Sequence, residues 1–162
     1  MRTNLLKSSA RVIRKNGLYF TLDENNKIQK FKPWLGDLFS FLYDTMMEKS
    51  VFPKKFNGSI QTHFNILRKE LAGVQGQNIL EIATGSGNAV HFLNPDNIYT
   101  GIDISPGMIK KAQERYPDLP YVVGNAELLP FESDSFDSIS SLLAFSYLQN
   151  PAQRLADCHR VL

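Results

Sequence analysis

The chemistry this sequence offers centres on one aspartate and one glycine turn. Gly85-Ser86-Gly87 follows the run Ile79-Leu80-Glu81-Ile82-Ala83-Thr84, and Asp103 closes the run Ile98-Tyr99-Thr100-Gly101-Ile102. A carboxylate can accept from both hydroxyls of a ribose diol. A turn of small residues leaves backbone bare for a ligand, and glycine takes the positive φ that shapes such a turn. Amides at the start of a following helix add unpaired donors. Set side by side at the ends of neighbouring strands, the turn and the carboxylate form a grip for a nucleoside cofactor.

That grip needs strands to carry it. From Asn78 onward the chain alternates strand and helix. The first strand spans 78–82, and a short helix over about 88–94 ends at Pro95. The second strand spans 98–103. Ser105-Pro106 supplies an N-cap and a first-turn proline for a helix that runs to about Arg115, with Met108, Ile109 and Ala112 inward. The third strand covers 121–124 and the fourth 136–143, flanked by Asp134 and Asp137. Asn150-Pro151 opens a last helix with Leu155 and Cys158 on one face. This rhythm predicts an α/β fold: a doubly wound parallel sheet, strand order 3-2-1-4.

Residues 1–75 read as an N-terminal extension and 76–162 as the core. Met1 to Lys15 is basic and lacks acids, as a partly disordered tail or a mitochondrial transit peptide would. Residues 17–31 predict a hairpin turning at Asp23-Glu24-Asn25-Asn26 and ended by Lys32-Pro33. Leu35, Leu38, Phe39, Leu42 and Met46 predict one helix, with Asp37 in its first turn, Lys49 in its last and Pro53 as its stop. Ser59 predicts the cap of a second helix, with Ile60, Phe64, Leu67 and Leu71 on one stripe and Gly73 after it.

At 162 residues the chain suffices for one domain with a real core, and 43% apolar against 21% charged residues is ordinary for a globular protein. A net charge of +2 is too small to argue for nucleic acid. No apolar run approaches the ~20 residues of a membrane span. Cys158 stands alone, so no disulfide forms within the chain and a reducing, cytoplasmic setting is expected, with the mitochondrion as the alternative from the basic N-terminus. A nicotinamide dinucleotide site wants a glycine where Val90 stands, and no Walker lysine follows the turn. His63, His91 and His159 lack metal-ligand spacing, so no metal is expected. No nucleophile-and-base constellation is visible.

The ordered motifs resemble the class I S-adenosylmethionine-dependent methyltransferases, specifically the small-molecule branch with the ubiquinone and menaquinone biosynthesis enzymes. Glu81-Ile-Ala-Thr-Gly85-Ser-Gly87 is similar to the family's glycine motif, and Gly101-Ile-Asp103-Ile-Ser105 to its acidic strand end. Gly124-Asn-Ala-Glu127-Leu-Leu-Pro130-Phe, Ser135-Phe-Asp137-Ser-Ile and 152–162 match its later elements in order. Ala83 replaces a glycine of the motif, Asn125 stands where Asp is usual, and Ser146 lies where many relatives carry His.

The resemblance implies a Rossmann-like fold and S-adenosylmethionine as cofactor. It implies that Glu81 holds the glycine loop or the methionine amino group, and that Ala83, Thr84, Gly85 and Gly87 form the loop along the methionine part. Asp103 would take the ribose hydroxyls, Met108 would pack on adenine, and Asn125 and Ala126 would meet its edge. Leu142 would lie under the sulfonium. Tyr43 would cover the cofactor or pack in the core. It names no catalytic base.

Methyl transfer to a small-molecule acceptor is the expected activity; a non-catalytic domain of the same kind, acting by binding cofactor or a protein, is the alternative. Relatives continue through strands five to seven beyond the point where this sequence stops. The outer edge of the fourth strand is therefore expected to be open, and either the 17–31 hairpin covers it or two copies pair there as a homodimer.

Overall fold

The computed structural model describes residues 5–30, 42–144 and 151–162. Lys32-Pro33, the residues Leu35 to Phe39 of the expected helix, Phe145, Ser146 and Asn150 lie outside them. Among the described residues the strands are β1 (Val12–Lys15), β2 (Leu18–Thr21), β3 (Asn78–Ile82), β4 (Ile98–Asp103), β5 (Tyr121–Val123) and β6 (Ser138–Ser141). The α-helices are α1 (Tyr43–Met46), α2 (Phe52–Lys55), α3 (Ile60–Leu71), α4 (Pro106–Arg115) and α5 (Pro151–Val161).

The six strands make one sheet in the order β1-β2-β5-β4-β3-β6. From β2 to β6 every pairing is parallel; β1 is antiparallel to β2. The run β5-β4-β3-β6 is the expected 3-2-1-4 order. Parallel strands covered on both faces read as continuous apolar runs, which is why β3 and β4 were legible to the residue. Alternation puts Leu80, Ile82, Ile102 and Val122 into one core with Leu129, Phe131, Phe136 and Val161. It puts Tyr99, Tyr121 and Val123 into the opposite core with Leu18, Ile109 and Ala112.

Several expectations are corrected. From Leu5 on, the basic N-terminal stretch is packed rather than a tail: the Lys7 amide donates to the Pro130 carbonyl, Leu6 bridges Phe131, and Val12–Lys15 is a strand. The main hairpin thus lies earlier than 17–31, turning at Asn16-Gly17, where both residues have positive φ. The expected return of 27–31 reduces to a Leu22–Ile28 bridge and a Gln29 bond to Thr21 around an Asp23 turn. Because β2 pairs with β5, the hairpin sits on the edge away from β6 and cannot cover it.

Pro53 does not stop its helix. A π-helical stretch, Met47–Val51, leads directly into α2, and this wider turn accommodates a residue with no N–H and a ring that crowds the preceding turn. Leu42 and Met46 face outward rather than into a core. The expected 88–94 helix is a 3-10 turn, Asn88–Phe92. On α5 the inner face is Arg154, Asp157, Cys158 and Val161, and Leu155 is exposed. Polar groups on that face are tied by specific bonds: Arg154 Nη2 donates to Glu127 at 3.0 Å, while its buried Nε and Nη1 have no partner among the described residues, and Asp157 accepts the Leu129 amide at 2.6 Å. The caps are as expected: Ser59 accepts from Thr62 and Ser105 from Met108.

Candidate functional site

The ends of β3 and β4 carry the cluster. The Gly85 amide donates to Oδ2 of Asp103 at 2.9 Å, and the Ser105 amide to Oδ1 at 2.9 Å. The two amides hold the Asp103 carboxylate in a fixed orientation at the end of β4. Met108, held in the first turn of α4 by the Ser105 cap, is buried. A Cβ placed on Gly85 would come 3.5 Å from its terminal methyl. The loop winds through three positive-φ residues, Ala83 (58°), Gly85 (56°) and Gly87 (76°). At Gly87 the need for glycine is the positive φ, since a Cβ there would only touch Ala112 at 3.4 Å.

Two amides of the loop are bonded within the protein, Gly85's to Asp103 and Gly87's to the Thr84 carbonyl, and the element that follows is a single 3-10 turn.

Beneath the loop lies Glu81, 2% exposed. Its Oε2 accepts from the Thr84 hydroxyl at 2.8 Å and the Tyr99 hydroxyl at 2.5 Å, and those two hydroxyls also touch each other. Burial pushes the Glu81 carboxyl up to about 7; the Tyr99 and Thr84 hydrogen bonds oppose this, and the Asp103 charge adds to it. Gly101 makes the room: a Cβ there would lie 3.0 Å from the Tyr99 hydroxyl and 2.9 Å from the Tyr121 ring.

Asn125, Ala126 and Leu142 sit just past the ends of neighbouring strands, and Tyr43 at the start of α1. Asn125, just past β5, is bound into its own turn, accepting the Glu127 amide at 2.9 Å. Ala126 packs against the Leu80 core. Leu142, just past β6, is half-buried, and Tyr43 opens α1 half-buried.

Sequence reasoning missed Asp44. Its Oδ1 accepts from the Ser86 hydroxyl at 3.1 Å, and its Oδ2 meets Lys111 Nζ at 2.8 Å and Arg115 Nη2 at 3.0 Å. Burial raises its carboxyl pKa, but the hydrogen bonds and charges of Lys111, Ser86 and Arg115 outweigh that and hold it below the ordinary value. One signal was present: Lys111 and Arg115 stand four apart on a helix and so share a face.

With this geometry in place, the relatives can be compared. Residues 80–162 match the methyltransferase domain family. The chain belongs to that family. It is 35% identical over 97 residues to the demethylmenaquinone methyltransferase of Chlorobaculum tepidum, covering 59% of this chain and 40% of that protein. It is 34% identical over 110 residues to the phthiotriol/phenolphthiotriol dimycocerosates methyltransferase of Mycobacterium leprae, covering 63% and 40%. The chain thus spans about 40% of the length of these curated relatives. A chain of the complex between the Haloferax volcanii Trm112 methyltransferase activator and a methyltransferase superposes with a TM-score of 0.65 at 25% identity, covering 82% of this chain and 57% of that one. The Rossmann-like fold of this methyltransferase domain is therefore shared with solved relatives.

Proposed function

We propose that this methyltransferase domain binds S-adenosylmethionine and serves methyl transfer to a small-molecule acceptor. The observation that carries the reading is the Gly85–Asp103 contact, which joins a loop without side-chain bulk to an oriented carboxylate. The residues fit such a cofactor: the cradle over Gly85 is one a side chain would fill, and Asp103 is an oriented carboxylate of the kind that accepts from a ribose diol. Asp103 would hold the ribose, Met108, Asn125 and Ala126 the adenine, and Glu81, Ala83, Thr84, Gly85 and Gly87 the methionine end. Leu142 and Tyr43 would wall the mouth. When bound, the cofactor supplies a methyl group on a sulfonium, already a good leaving group. The chain's task is then to orient donor against acceptor and exclude water. The names of the two curated relatives favour a small-molecule acceptor.

Titration calorimetry with S-adenosylmethionine tests the reading. Asp103→Ala should weaken binding about tenfold to a hundredfold, the worth of hydrogen bonds to a charged group. Equal affinities in folded proteins would remove Asp103 from the site.

A further inference from the structure

We infer that Asp44 is a positioning residue that clamps the Tyr43-bearing helical segment onto the Gly85–Gly87 turn. The inference rests on the cofactor reading above and goes beyond it. Three donors from two separate elements converge on this one carboxylate: Ser86 from the loop, Lys111 and Arg115 from α4. Arg115 holds the same loop residue from behind, donating to the Ser86 carbonyl at 3.3 Å and to Asn88 Oδ1 at 2.6 Å. Ser86 is therefore bracketed, its hydroxyl by Asp44 and its carbonyl by Arg115. At 2% exposure it has little access to water as a substitute partner.

Fully buried apolar side chains do not seat the start of this segment. No residue from Tyr43 to Val51 is buried, and Leu42 and Met46 are 47% and 43% exposed. Phe52 is the first buried side chain after it. The contacts of Asp44 tie the start of this segment to the loop and to α4, and the buried Phe52 anchors its far end. Ser86 directly follows Gly85, whose amide orients Asp103. A shift at Asp44 therefore reaches the ribose-side carboxylate through one peptide. The same tie works in reverse, as linkage requires: filling the loop should steady the segment.

Amide hydrogen exchange over residues 43–55 and calorimetry with S-adenosylhomocysteine, both on the 162-residue chain, test this. In Asp44→Ala the segment should exchange roughly tenfold faster while β3 and β4 keep wild-type protection, and affinity should fall about tenfold, the scale of one charge-assisted hydrogen bond. Asp44→Glu should restore part of both. Lys110→Ala, which removes only an exposed pair with Glu114, should change neither. If Asp44→Ala is unfolded by circular dichroism, Ser86→Ala removes the loop contact alone and must show the same paired effect. Unchanged exchange, or faster exchange with wild-type affinity, overturns the inference. Failure of the cofactor reading looks different: wild type would give no binding heat, while exchange in the free protein still reports whether Asp44 seats the segment, and unchanged exchange there would again overturn the clamp.

Discussion

The Tyr99 hydroxyl reaches the Glu81 carboxylate at 2.5 Å only because Gly101, opposite Glu81 in the sheet, has no side chain. This places a proton-rich oxygen cluster directly under the glycine loop, and it sets the first prediction. Folding raises the Glu81 pKa from 4.5 to about 7. The stability it contributes is complete below the unfolded value and is lost as pH rises through about 7. Across that window wild type should lose about 3 kcal/mol relative to Glu81→Gln, which cannot ionise. Urea unfolding of both proteins at a series of pH values between 5 and 8 measures it. A difference that does not vary with pH would mean that Glu81 titrates as an ordinary glutamate.

Gly101→Ala should crowd the same cluster. Its Cβ would stand 2.9 Å from Tyr121 and 3.0 Å from Thr84. Overpacking of this kind costs about 1–3 kcal/mol. A lowered melting temperature checks it; a melting curve superimposable on wild type would show that Tyr99 and Tyr121 move aside freely.

Ala83→Gly should stabilise the protein. Ala83 holds φ at 58°, a left-handed conformation that a Cβ disfavours by roughly 1–2 kcal/mol. The gain should be roughly 0.5–1 kcal/mol after glycine's greater freedom in the unfolded chain is subtracted. Chemical denaturation reads it directly, and a loss of stability would show that the Ala83 methyl makes contacts worth more than the strain.

We propose that the 162-residue chain self-associates through β6. Among the described residues no strand pairs with the outer edge of Ser138–Ser141, and Leu143 beside it is 43% exposed. An open edge of this kind templates pairing with another chain, and two-fold symmetry would close the contact. Light scattering should find a dimer at micromolar concentration. A monomer throughout that range would exclude pairing there.

The sequence by itself determined the parallel core and the cradle. Ile79 to Ile82 and Tyr99 to Ile102 are buried runs bounded by turn residues, and Ser105-Pro106 is a local capping signal; such features depend on near neighbours and survive in one dimension. Asp103 and Gly85 were legible for the same reason, as ends of adjacent strands. What only the tertiary structure decided concerns partners far apart in the chain. The strand at Val12–Lys15 is unremarkable in sequence and forms because β2 finds the free edge of β5. Arg154 and Asp157 displace Leu155 from the inner face of α5 because Glu127 and the Leu129 amide wait there. Asp44 meets Ser86 across 42 residues of sequence. An ion pair or buried hydrogen bond is a property of two positions in space, and no periodicity in either segment encodes its partner.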